Sequence, residues 1–183
     1  PGGNPVALLS KVILDVLRKE SGKTWEKALR GQTLASGDMV RTGEGALAII
    51  KFKDNSLVRL REKSEMTLTG TQTGNTMSKS VEVQTGVVGF NVAKQRAGEE
   101  FRFTSPTSVA SIRGTAGVLN SATEADTLTV TEGLVRLLNR VSSRTVDVGA
   151  GFTGISGRNG ELLSRITTER ERQAALDAMR DDA

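Results

Sequence analysis

The chain has 183 residues, 37% of them hydrophobic and 25% charged, with a net charge of +4. That suits one domain with a real core, and the charge is too small to argue for nucleic acid. Cysteine and histidine are both absent, which excludes disulfides, thiolate and zinc–thiolate chemistry, Ser–His triads and the usual general base.

The first residues, "PGGNP", read as a flexible leader. "VALLSKVILDVLRKESG" (Val6–Gly22) fits helix or strand by pattern. The turn "KESGK" and the β-rich neighbours favour a strand ending near Lys19. Residues 1–22 are therefore taken as leader and first strand. The start at Pro1, without methionine, looks like a mature or trimmed chain, so a missing export signal says nothing about the full gene product. No apolar run approaches the roughly 20 residues needed for a membrane-spanning helix.

Short alternating segments follow: "ALAIIKFK" (Ala46–Lys53), "LVRLR" (Leu57–Arg61), "EMTLT" (Glu65–Thr69), "SVEVQ" (Ser80–Gln84) and "EFRFT" (Glu100–Thr104). Period-two alternation broken by Gly, Asn, Asp or Ser about every ten residues predicts an all-β domain. "KDNS" (Lys53–Ser56) predicts a tight hairpin turn, because Asp and Asn tolerate positive φ. A degenerate repeat runs through the same region. "VEVQTG" (Val81–Gly86), "LTVTEG" (Leu128–Gly133) and "VDVGAG" (Val146–Gly151) each set two apolar residues two apart and a glycine three later, with "VRTGEG" (Val40–Gly45) a weaker copy. Strand, glycine corner, strand is a unit that buries its apolar face only by folding over its neighbours. The expected architecture is a wound β-sandwich or short β-solenoid, over residues 12–157.

From Glu161 the pattern turns helical, with Leu162, Leu163 and Ile166 and later Ala174, Ala175, Leu176, Ala178 and Met179. Thr168 and Glu171 have the spacing of a capping box, so a C-terminal α-helix is predicted within a helical tail at 158–183. Packing of that helix on its own domain, or fraying, is expected ahead of partner docking.

These motifs, in order, resemble the FecR domain family. The matching stretches are Trp25, "GQTLASGDMVRTGEGALAIIKF" (Gly31–Phe52), "DNSLVRLREKSEMTL" (Asp54–Leu68), "VEVQTGVV" (Val81–Val88), "TSPTSVASIRGTAGVL" (Thr104–Leu119) and "LTVTEGLVRL" (Leu128–Leu137). The resemblance implies an exported, periplasmic, all-β domain, best known in regulators that relay iron–siderophore receptor occupancy to a sigma factor. No anti-sigma helical segment, membrane span or βαβ subdomain is visible in the chain, so a stand-alone form is expected.

Several residues are singled out as structural. Arg113, beside Gly114 and Thr115 at the end of "SVASI", predicts a pin that binds strand carbonyls or a carboxylate such as Asp38 or Asp54, ahead of a ligand contact. Gly37 and Asp38 predict a turn in which Asp38 caps backbone amides, ahead of metal binding. Trp25 predicts a core or edge anchor rather than a sugar-stacking platform. Lys51, Lys53, Arg59, Arg61 and Lys63 predict either charged edge positions that discourage aggregation or a basic strip for an acidic partner or anionic polymer. No catalytic residue, cofactor or metal set is predicted. The expected function is a non-enzymatic cell-envelope domain that binds a protein partner, the alternative being envelope polysaccharide or another anionic polymer.

Overall fold

Residues 3–183 are described by a computed structural model that is mostly β, with one C-terminal helix. The run expected to form one N-terminal strand forms two. β1 (Pro5–Ile13) and β2 (Val16–Lys19) are separated by Leu14 at φ 59°, a corner in the chain. Of the predicted leader, Pro5 already belongs to β1, while Pro1 and Gly2 lie outside the described residues.

The strands that follow are short. They are β3 (Trp25–Lys27), β4 (Thr33–Ala35), β5 (Met39–Thr42), β6 (Leu47–Phe52), β7 (Leu57–Leu60) and β8 (Glu65–Thr73). β9 (Thr76–Val92) is much longer, at 17 residues. Next come β10 (Phe101–Thr104), β11 (Ser108–Ile112), β12 (Thr115–Ser121) and β13 (Ala125–Glu132). The last strands are β14 (Leu134–Asn139), β15 (Thr145–Gly149), β16 (Phe152–Gly157) and β17 (Leu162–Ile166), followed by α1 (Glu169–Ala178).

Pairing divides them into two sheets. The front sheet runs β4–β1–β6–β7–β9–β12–β13–β16–β17. The back sheet runs β3–β2–β5–β8–β9–β10–β11–β14–β15. β9 belongs to both. Its first part, through Thr85, pairs with β8 in the back sheet, and from Gly86 onward it pairs with β12 in the front sheet. The β9–β10 pair is parallel, against an otherwise antiparallel pattern.

The repeat noted in the sequence marks the passages between sheets. Its glycines, Gly45, Gly86, Gly133 and Gly151, all have positive φ, and at each the chain leaves one sheet for the other. That conformation is open to glycine at no steric cost. The apolar pair before each glycine faces inward. Leu9, Ile50, Val58, Leu60, Val88 and Phe90 of the front sheet share one core with Met66, Leu68, Val81, Val83, Phe101 and Phe103 of the back sheet. The Phe90 and Phe103 rings stack across the layers at 4.7 Å, and burial of each such side chain stabilises by roughly 1.5–3 kcal/mol.

Two expectations for the last segment need separating. Leu162–Ile166, read as helical from its spacing, is the edge strand β17 paired to β16. The capping box does form: the Glu171 amide donates to Thr168 Oγ1 at 3.2 Å, and the Thr168 amide donates to Glu171 Oε1 at 2.9 Å. α1 then lies on the outer face of the front sheet, where Ala175 and Ala178 pack with Val118, Val87 and Met179.

Candidate functional site

The buried turns and anchors fix what the surface presents. Asp38 is buried, and its carboxylate accepts from the amides of Ser21 at 3.0 Å and Ala35 at 2.8 Å. Gly37, at φ 94°, sends its amide to the Leu68 carbonyl at 2.7 Å, so the turn ties three segments together. Trp25 sits half-buried on β3, with the Arg41 guanidinium 4.1 Å from the centre of its ring. One face of the indole is therefore occupied by a cation of the same chain.

Arg113 is not the expected pin. It is exposed, and among the described residues its side chain makes no hydrogen bond or ion pair. The carboxylates considered for it are used elsewhere. Asp38 holds the two amides above, and Asp54 accepts from Ser56 N, Lys79 Nζ and Gln95 Nε2. The physical reason is the turn itself: Gly114 has φ 63° and turns the chain into β12, leaving Arg113 on the outside of the corner. Thr115, the next residue, is buried.

The pin lies earlier in the same motif, at Ser105 and Ser108. Both hydroxyls donate to Asp126 Oδ2, and Ser108 Oγ also reaches Ser156 Oγ at 2.8 Å. Asn139 Nδ2 donates to Ser156 Oγ and to the Gly157 carbonyl, both at 2.9 Å. Asp126, on β13, is 1% exposed, with Arg158 Nη2 3.0 Å from its Oδ1 as an ion pair without hydrogen-bond alignment. Burial pushes its carboxyl up, but Arg158 and the hydroxyls of Ser105, Ser108 and Ser121 outweigh that and hold it below the ordinary range. This cluster joins front-sheet strands β13 and β16 to back-sheet strands β11 and β14. Nothing in the local sequence around Asp126 points to it.

The basic strip is also different from the one predicted. Lys51, Lys53 and Lys63 are exposed, whereas Arg59 is buried at 6% exposure and Arg61 is half-buried. What covers the arginines is the segment after α1. Arg59 Nε donates to Asp181 Oδ1 at 2.7 Å, and its Nη1 donates to Asn91 Oδ1 at 2.6 Å. Arg61 donates to the carbonyls of Arg180, at 2.7 Å, and Asp182, at 2.9 Å. Lys11 Nζ donates to the Asp181 carbonyl. Strand register explains the grouping: Lys11 stands opposite Ile49, Ile49 opposite Arg59, and Arg59 opposite Gly89, in one row across the outer face.

The fold and these sites define a wound, two-sheet β domain whose buried Asp38 and Asp126 carboxylates are held by their own chain and whose front face holds cations for acidic groups. A family model for "FecR protein" matches residues 38–136, more than half of the chain. The chain belongs to the FecR protein family. None of the curated proteins matches it. Two crystal structures described as a proposed anti-sigma factor from Parabacteroides distasonis ATCC 8503 share the fold, each at 17% identity and over 74% of this chain, with TM-scores of 0.62 and 0.61. The chain covers 62% and 63% of those chains, less than two thirds of their length.

Proposed function

We propose that this FecR-family chain is a non-enzymatic protein-interaction domain of a cell-envelope signalling regulator, acting on the exported side of the membrane. The observation that carries the reading is the family match over 38–136. The structural likeness to a protein described as a proposed anti-sigma factor agrees with it. The relay of receptor occupancy, iron–siderophore or other, to a sigma factor is the finer form of the same reading.

The chemistry of the polar clusters supports a non-catalytic role. Asp126, Asp38 and Asp54 all accept hydrogen bonds from their own chain, and none stands beside a nucleophile with an open reaction position. The polymer-binding alternative is the weaker one. Arg41 covers one face of Trp25, and the tail segment occupies Arg59 and Arg61, which leaves Lys51, Lys53 and Lys63 as scattered exposed charges.

A test in the native host uses the full reading frame with a photo-crosslinking residue at Lys51. Protease added to spheroplasts should degrade the domain, and irradiation should join it to an envelope protein. A domain that stays protected inside spheroplasts would refute the exported location, and the absence of any protein adduct would refute the interaction role.

A further inference from the structure

The outer face of the front sheet holds α1 and the acidic segment that follows it. α1 ends over it. The peptide dipoles of a helix leave partial negative charge on its last carbonyls, which cations near that end stabilise. α1 has no basic residue in its own last turn. The sheet supplies cations just beyond that end: Lys11 and Arg61 take carbonyls of Asp181, Arg180 and Asp182, which follow the helix, and Arg59 takes the Asp181 carboxylate. Arg59 Nη1 also donates to Asn91 Oδ1, a hold on its guanidinium that does not come from the segment.

The occupant is held lightly. Only Ala175 and Ala178 of α1 are buried, and a helix of 10 residues is marginal on its own in water. Met179 adds a partly buried apolar contact, and the rest are ionic or carbonyl contacts whose acidic partner, Asp181, is exposed, so that salt screens them. Gly89 lets the helix backbone come close to the sheet, and the side chains that meet Val118 there are the alanines Ala175 and Ala178.

We propose that this face, built by Lys11, Arg59, Arg61, Asn91 and Gly89, binds the acidic C-terminal end of a partner protein's helix, and that α1 with Arg180–Asp182 occupies it until such a helix displaces it. The proposal rests on the reading of the chain as a protein-interaction domain. The fitting partner carries alanine-sized residues on one helix face and acidic residues just beyond its last turn. Charge complementarity to the three cations and the close helix approach at Gly89 select that chemistry.

The test asks whether the face binds in trans once its own segment is released. Ala178→Glu sets a charge against Val118 and frees α1 without altering the sheet, release being read from hydrogen exchange of the α1 amides. A fluorescent peptide of residues 168–183 then stands in for the partner helix. It should bind the released chain about tenfold or more tighter than wild type, because the tethered segment lowers the fraction of open sites. Arg59→Gln in the released chain should remove that binding, and added salt should weaken it. Equal binding to both chains, no binding to the released chain, or binding that survives Arg59→Gln overturns the proposal. A wild-type dimer that exchanges α1 between two copies also overturns it, since the occupant would then be a second copy. If Ala178→Glu does not fold or does not release α1, Asp181→Ala with Met179→Gly frees the same segment from outside the sheet. Failure of peptide binding beside a positive crosslink at Lys51 would reject this face and leave the interaction reading standing.

Discussion

A Cβ atom on Gly89 would stand 2.5 Å from the carbonyl oxygen of Ala178, and no real side chain tolerates that approach to backbone. The glycine is therefore what lets α1 lie against the front sheet. Gly89→Ala should lift the helix and cost about 1–3 kcal/mol of local stability. Hydrogen exchange and limited trypsin cleavage at Arg172 and Arg180 should both rise. The main core, to which α1 contributes nothing, should melt near wild type. Helix amides as protected as in wild type would contradict the contact.

Asp126 carries the second prediction. Asp126→Ala strands the hydroxyls of Ser105 and Ser108 and the buried side of Arg158, and such losses cost about 3–5 kcal/mol. Asp126→Asn should recover part of that, since an amide oxygen still accepts and the hydroxyls can rotate. Urea unfolding of the two variants beside wild type measures both.

A pH dependence follows from the helix start. The Arg165 guanidinium, at 2.7 Å, is the main cause that lowers the Glu171 carboxyl from 4.5 to about 2, opposed by burial and aided by the Thr168 amide and hydroxyl. A carboxyl lowered on folding stabilises above its unfolded value and loses that contribution as pH falls towards its folded one. Helix capping by Glu171 should therefore be intact above about pH 4.5 and lost between there and about pH 2. NMR titration of the α1 amides should show this loss, and Glu171→Gln should remove the transition from that window.

Arg113 and Gly114 should behave oppositely. Arg113→Ala and Arg113→Lys should melt with wild type, because the side chain is exposed and unpaired among the described residues. Gly114→Ala should melt lower, by roughly 1 kcal/mol or more, because its φ of 63° disfavours a side chain. Thermal denaturation decides both. An early-melting Arg113→Ala chain would restore the pin that the sequence suggested.

Most of the winding was legible before any coordinates, because a glycine corner and the alternation on either side of it are local signals. Gly86, Gly133 and Gly151 each ended a repeated hexapeptide, and each proves to be a passage between sheets. β17 was misread for an equally local reason: Leu162, Leu163 and Ile166 have helical spacing, yet a short apolar run takes its form from its neighbour, here β16. The anchor of the "TSPTS" motif could not be read at all. Its partner Asp126 lies 18 and 21 residues from Ser108 and Ser105, and only the crossing of the two sheets brings them together. The charge of Arg59 and Arg61 is plain in the sequence, but what covers them comes from about 120 residues further along the chain.

Because β9 is central to both sheets, neither layer has a boundary along which it can separate from the other. Fraying can begin at the outer strands β3, β4, β15 and β17, which each pair with a single neighbour. Once it reaches Thr76–Val92 it has no partial stopping place, since the same backbone closes hydrogen bonds on β8 and β10 at one end and on β7 and β12 at the other. The amides of this strand should exchange only with complete unfolding, as the last to open and as one cooperative block. A chain wound from many short, individually weak strands thus gains an all-or-none transition from its one long one.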